Sequence, residues 1–218
     1  MKNYTVSINK AHFPVTVLGY GRRIGIWFQG CDIRCPGCIS QDTWDDDPGR
    51  EIAVESLVAW CRSVSDGNLD GITITGGEPF HQSEALACLL EKLHGWRKES
   101  GAPFDILCYS GHSLSLLEDR YQDILHLLDV LVPEPYQDTV PMENPLCGSG
   151  NQKVVPISPI GVVRYGHLMP TGLPGRMQVV AKDGRMWFIG IPERGDMEKL
   201  DKICKSKGLT LEGVSWRP

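Results

Sequence analysis

The chain has 218 residues, 41% of them hydrophobic and 22% charged, with a formal net charge of −5. That composition is ordinary for a globular protein, and its acidic balance argues against broad binding to nucleic acid or to an anionic membrane surface. No apolar run approaches a membrane span and the stretch "MKNYTVSINKAHFPV" lacks the apolar centre of a signal peptide, so the expected location is the cytoplasm, where eight cysteines point to metal binding or catalysis rather than to disulfides.

In chain order, "RRIGIWFQ" places Ile24, Ile26 and Phe28 at period two and predicts a strand. A cysteine-rich loop follows directly. "EIAVESLVAWCRSV" spaces Val54, Leu57, Val58, Cys61 and Val64 at helical intervals. "DGITIT" is a short β-branched run stopped by the turn residues of "GGEP". Ser83 is placed to cap a helix that presents Ala85, Leu86, Leu89, Leu90 and Leu93. "FDILCYS" predicts another buried strand, and Ser113 can cap the helix after it. "DVLV" is a fourth strand, ended by Pro133 and Pro135. Residues 133–175 are rich in Pro and Gly with little periodicity. Beyond them "RMQVVAKDGRMWFIGI" predicts a hairpin around Asp183 and Gly184, and "DMEKLDKICKSKG" a short helix capped by Asp196 and ended by Gly208.

Strand–helix–strand alternation at this spacing implies parallel strands joined by right-handed crossovers. Functional loops then gather at the carboxyl ends of the strands. The cysteine loop, Gly76 to Pro79, and Ser110 with Gly111 all fall at such ends. A full eight-unit barrel takes about 250 residues. The expected fold is therefore α/β, a partial (β/α) TIM-like barrel open on one side, with a C-terminal hairpin and helix. All of residues 1–218 are expected to form one domain.

"GCDIRCPGCIS" carries Cys31, Cys35 and Cys38. Eight cysteines scattered at random would produce this spacing with a probability of roughly one in a hundred. Structural zinc wants four ligands, usually in paired C-x2-C units, and only Cys35 and Cys38 form such a pair. A redox C-x-x-C pair leaves Cys31 unexplained. An iron–sulfur cluster fits better: three thiolates hold three irons of a [4Fe–4S] cube and leave the fourth open to another ligand. Gly30 and Gly37 would let the backbone wrap closely around it. In "TGGEP", Gly76 and Gly77 permit a tight turn open to a ligand, Pro79 stiffens it, and the carboxylate of Glu78 can accept a charge-assisted hydrogen bond from an ammonium.

With its C-x3-C-x2-C spacing, the loop resembles that of radical S-adenosylmethionine (SAM) enzymes. The resemblance implies a [4Fe–4S] cluster on Cys31, Cys35 and Cys38 whose open iron chelates SAM. It implies one-electron cleavage of the sulfonium to a 5′-deoxyadenosyl radical, with the protein supplying binding, orientation and exclusion of water. It also implies that Gly76, Gly77, Glu78 and Pro79 bind the methionine amino group, and that Gly37, Cys38 and Ile39 pack near the adenine. "CPGC" followed by "ISQDTWDDD" is similar to the anaerobic ribonucleotide reductase activating enzymes; Thr43-Trp44-Asp45 is similar to pyruvate formate-lyase activating enzymes. "LDVLVPEPYQDTV" and "GSGNQ" keep the order and spacing of the late reductase-activase motifs. The likeness spans residues 15–155, with 156–218 as an extension packed on the same domain.

Ser110 is a candidate ligand of the SAM carboxylate or ribose, or a plain turn residue before a helix. Asn151 and Gln152 match the late motif, or simply bond their own loop. The implied partners are a protein substrate, a glycyl-radical enzyme, and a flavodoxin- or ferredoxin-type electron donor. Two departures stand out: Pro133-Glu134-Pro135-Tyr136 replaces a usual Asp-Gly-Pro, and Cys147 replaces a usual Arg. Cys147, like Cys61, Cys88, Cys108 and Cys204, reads as core filler. Trp187 and Phe188 read as core, and Arg22 and Arg23 as an edge or a reader of acidic groups. Two alternatives remain: a radical catalyst acting on a small molecule or ribosomal peptide, with the hairpin and "GIPERGD" closing its pocket, or a non-catalytic metal-stabilised binding module.

Overall fold

A computed structural model describes residues 4–166, 177–182 and 184–216. Asp183, half of the anticipated hairpin turn, lies outside the described residues, as do Arg176 and the end of the Pro/Gly-rich stretch.

The centre of the molecule is four parallel strands: β2 (Arg23–Phe28), β4 (Gly71–Gly76), β5 (Asp105–Tyr109) and β6 (Val130–Val132). They are neighbours in that order because each is followed by helical chain that crosses back over the sheet. The crossovers are α1 (Val54–Val64), α2 (Ser83–Ser100), then α3 (Leu114–Arg120) with the one-turn α4 (Gln122–Leu125). Ile24, Ile26, Phe28, Ile72, Ile74, Ile106 and Cys108 from the strands bury against Leu57, Leu86, Leu89, Leu90, Leu93 and Leu117 from the helices. The periodicity that predicted these elements thus describes their buried faces.

The flanks are antiparallel. β1 (Thr5–Val15) lies between β2 and the short β3 (Glu51–Ala53), and β7 (Val155–Pro156) closes the other side against β6. Among the described residues the seven strands form one sheet in the order β3-β1-β2-β4-β5-β6-β7, open at both ends. This is the expected partial barrel, with antiparallel edges. Strand β1 escapes period-two reading because Asn9, Lys10, His12 and Pro14 interrupt its apolar positions, and most of it is only half-buried. α5 (Pro159–Tyr165) was also unforeseen, although Ser158 caps it by accepting from Gly161 N and Pro159 opens it.

Two caps differ from expectation. Ser83 lies inside α2, because a 3-10 turn from Pro79 to Gln82 precedes that helix and Glu78 caps the turn. Asp196 is the first residue of α6 (Asp196–Ser206), and left-handed Gly195 takes the cap position. Ser113 does cap α3, accepting from Leu116 N.

The hairpin is present as β8 (Met177–Lys182) and β9 (Arg185–Gly190). It docks on the flank through a second apolar cluster of Val15, Val17, Leu18, Trp27 and Ile189, with Val180, Trp187 and Ile191 against it. Trp187 and Phe188 are half-buried, and the hairpin's wholly buried side chain is Ile189. Among the described residues no helix is long and apolar enough to cross a membrane.

Arg23 proves to be interior and fully buried. Its guanidinium donates to Asp105 Oδ1 at 2.6 Å, Thr73 Oγ1 at 2.6 Å and Ile72 O at 2.9 Å. Arg164 of α5 takes the other Asp105 oxygen at 2.6 Å. Burial alone would lower the Arg23 pKa, but Asp105 outweighs it and holds the group above its ordinary value.

Candidate functional site

Strand β2 ends at Phe28, and the cysteine loop leaves from its carboxyl end. The loop's base is pinned where Gly30 N donates to Thr43 O at 2.8 Å and Cys31 N to Trp44 O at 2.9 Å. Cys38 N donates to Cys35 O at 3.1 Å, closing a turn around Gly37, whose φ of +79° lies in the region that favours glycine. All three thiols are free and half-buried.

Burial raises the pKa of each thiol, and N–H groups aimed at the sulfurs oppose it. They come from the backbone of Arg34 and Ile33 at Cys31, from that of Tyr136 at Cys35, and from Ser40 and the Trp44 indole at Cys38. Such donors favour thiolate, the form that binds iron. Among the described residues no three His, Cys, Asp or Glu side chains converge as one metal ion would need. A cluster asks for something else, because each thiolate binds its own iron and the sulfurs stand apart. Three free thiols on one pinned, donor-lined loop fit that demand.

The β4 exit lies beside this loop. Gly77 N donates to Phe28 O at 2.9 Å and Glu78 N to Gly30 O at 2.8 Å. A Cβ on Gly77 would fall 2.2 Å from Gly30 O, and one on Gly76 would fall 2.5 Å from Phe28 N. Gly76 is therefore needed for the close approach of the β4 exit to β2, and Gly77 for its approach to the cysteine loop, a reason additional to the ligand access expected of them. Glu78 is 1% exposed. Its Oε1 accepts from Phe80 N at 3.0 Å and Ser110 Oγ at 2.9 Å, and its Oε2 from Gly111 N at 2.7 Å. Burial pushes its pKa up, and these donors counter part of the rise. Ser110 also accepts from His112 N at 3.1 Å, and its donation to Glu78 joins the β4 and β5 exits.

Cys31, Cys35, Gly37, Cys38, Ile39, Gly76, Gly77, Glu78, Ser110 and Gln152 all line one cavity of about 1230 Å³ at the carboxyl ends of the parallel strands. Pro79 and Asn151 do not line it. Pro79 is buried and opens the 3-10 turn. Asn151 Nδ2 donates to Pro135 O at 2.8 Å, while its buried Oδ1 has no partner. Gln152 accepts from Gly148 N at 2.8 Å and donates to Glu134 O at 2.8 Å, which ties the late loop together. Cys147 is buried beside Leu107, Val130 and Val132, and burial pushes its thiol up to about 11; it is core filler, as expected.

Sequence reasoning missed the far wall. Tyr136 and Asp138 line the cavity, the tyrosine hydroxyl donating to Asp138 Oδ1 at 3.0 Å, and Arg194 reaches Asp138 Oδ2 at 3.5 Å. The same cavity is lined by residues 184–195 and 210–216. Ser215 holds the latter segment to the cysteine loop: its O accepts from Gln41 N at 2.8 Å and its Oγ donates to Ile39 O at 2.8 Å. The hairpin and "GIPERGD" had been suspected of this closure; residues 210–216 had not.

An open α/β sheet with three thiols and a buried carboxylate at its strand ends defines a cysteine-loop half-barrel. The chain belongs to the 4Fe-4S single cluster domain family, whose model matches residues 17–155. It is similar to the anaerobic ribonucleoside-triphosphate reductase-activating protein of Enterobacteria phage T4, 27% identical over 63% of this chain and 86% of that one. Over a shorter span it is similar to pyruvate formate-lyase 1-activating enzyme of Escherichia coli K12, 39% identical over 36% of this chain and 35% of that one. The solved QueE from Escherichia coli superposes with a TM-score of 0.41 at 22% identity, over 50% of this chain and 54% of that one.

Proposed function

We propose that the chain is a radical SAM enzyme of the activating type, which installs a glycyl radical on a protein partner. The observation that carries this reading is the single cavity shared by Cys31, Cys35, Cys38 and the β4 exit. The names of the two activating relatives support the same reaction class. Cys31, Cys35 and Cys38 would hold a [4Fe–4S] cluster, and the residues around them would seat SAM. When bound, this pair would supply one-electron cleavage of the sulfonium and, through it, hydrogen-atom abstraction from the substrate.

The chain's own residues bind, orient and exclude water. A carboxylate offers about four acceptor sites, and three at Glu78 are occupied within the protein. Glu78 lines the cavity, and the one that remains suits an ammonium group of the ligand. Gly37, Cys38 and Ile39 offer backbone and a small apolar surface to an adenine. Ser110, Asn151 and Gln152 then act through the loops they hold. A flavodoxin- or ferredoxin-type protein would deliver the electron.

Anaerobic reconstitution with iron, sulfide, a strong reductant and SAM tests this. The expected result is a brown protein that releases 5′-deoxyadenosine, and a Cys38→Ala variant that loses nucleoside output to the level of a protein-free control. Wild-type protein that takes up no iron, or a variant that cleaves SAM normally, would refute it.

The second reading, a substrate enclosed by the chain itself, gains from the cavity wall formed by residues 184–195 and 210–216. It predicts turnover of a free small molecule or peptide without a folded protein partner.

A further inference from the structure

We propose that the outer edge of β9 takes up an extended polypeptide segment as a third strand, laid along the cavity that holds the cysteine loop. Its purpose rests on the radical reading; its geometry does not.

Successive residues of a strand point to opposite faces, so a cavity lying against one face meets every second residue. Here every residue from Arg185 to Gly190 lines the cavity, together with Gly184 and Ile191 to Gly195, whereas β8 contributes only Met177. The space therefore runs along the edge of β9. Among the described residues β9 pairs with β8 alone, and no other backbone hydrogen bond joins Arg185–Gly190. Its register meets β8 at Lys182 and Arg185 across a two-residue connection. That connection places the two in a hydrogen-bonded pair, which leaves the N–H and C=O groups of Met186, Phe188 and Gly190 turned outward.

Exposed edges are usually blunted by proline, lysine or a bulge. "RMWFIG" has none of these, its one charge being Arg185 at its first residue, and Met186 is 48% exposed. A row of alternating donors and acceptors about 7 Å apart is matched in register by another polypeptide backbone and not by a compact small molecule. Met177, Met197 and Trp216 also line the cavity, soft and apolar, the Trp216 ring lying 6.0 Å from that of Phe188. At the strand's start, the exposed Arg185 side chain makes no hydrogen bond or ion pair among the described residues. The occupant these features describe is an extended, largely apolar segment with a carboxylate at the end that meets Arg185.

The test uses full-length protein with its cluster reconstituted, and a bead library of capped peptides of about ten residues, long enough to span β9 with flanks. Selection should yield binders with an acidic residue toward one end. N-methylating a binder at every second residue should weaken it by about tenfold or more, while methylating the interleaved set leaves it intact. Arg185→Glu should turn the preference at that end from acidic to basic. Three results would overturn the proposal: no binder emerges; both N-methyl series bind alike; or the protein forms a concentration-dependent dimer that protects the amides of residues 185–190, which would give the edge to a second copy. Reductant-driven SAM cleavage is measured on the same preparation. Its absence would count against the radical reading alone, and peptide binding would still decide the role of β9.

Discussion

The parallel strands are held from within, whereas the segment from Met177 to Trp216 is held at a few points on its rim. The strands bury a continuous apolar core and seal their amino ends with Arg23, Asp105 and Arg164. The hairpin, α6 and the stretch after it attach through a small separate apolar cluster, the Gln178 side chain, and Ser215. Beyond those attachments the two regions share the cavity, where one supplies thiols and the other supplies a wall. A rigid half can hold a reactive group in place, and a lightly anchored half can part to admit a substrate. If this division is real, variants in the first region should act on global stability and iron retention, and variants in the second on local opening.

The largest effect is expected at Asp105. Replacing it with Ala leaves two guanidinium groups facing each other, Arg23 fully buried and Arg164 mostly so. Breaking a buried pair from one side costs about 3–5 kcal/mol. The urea midpoint of Asp105→Ala should fall accordingly, with the whole sheet unfolding together. A midpoint within experimental error of wild type would show that the amino end of the sheet is not what holds the core.

Gly77→Ala comes next and strikes the junction between the strands and the cysteine loop. The new methyl would sit 2.2 Å from Gly30 O, a backbone atom that cannot rotate away. Overpacking of this kind costs about 1–3 kcal/mol. The displacement should carry Gly30 and Cys31 with it, so iron retained after reconstitution should drop by more than stability alone explains. Full iron content in a correctly folded variant would separate the glycine from the site.

The halves also differ in how much the sequence discloses. β2, β4, β5 and β6 were legible because their apolar runs are short, β-branched and bounded by Gly, Asp or Pro, and the helices between them carry strict periodicity. The three cysteines stood out by density alone. Arg23 did not, because a charged residue at the start of a strand usually marks an edge, and only the fold shows that α5 closes over it. α5 itself was hidden in a Pro/Gly-rich stretch, although Ser158 followed by Pro159 is a start signal. The cavity wall was legible only in part: the hairpin and "GIPERGD" were open to suspicion as a lid, but residues 210–216 share the cavity with Cys31 and Cys38 across more than 140 positions of chain, and no local pattern encodes such a meeting. Glu78 illustrates a partial reading: its place at the site was legible, but not that Ser110 and Gly111 would take up its oxygens.

The smallest predicted effect probes the lighter half directly. Gln178 Oε1 accepts from Thr16 N at 3.0 Å, and its Nε2 donates to Pro14 O at 2.8 Å, so one side chain satisfies the end of β1 and fastens β8 to it. Gln178→Ala removes these bonds and a third from Thr16 Oγ1 at 3.3 Å, and leaves a half-buried N–H and carbonyl to find water, at a cost of about 1–2 kcal/mol. Because the apolar core beneath the strands does not include this contact, the global urea midpoint should stay within a few tenths of a kcal/mol of wild type. The loss should appear instead as faster amide exchange in residues 177–190 and earlier protease cleavage there, with iron content unchanged. If Gln178→Ala lowers the global midpoint as much as it loosens the hairpin, the two regions unfold as one unit. The hairpin would then be a fixed wall of the cavity, and substrate would have to enter by another side.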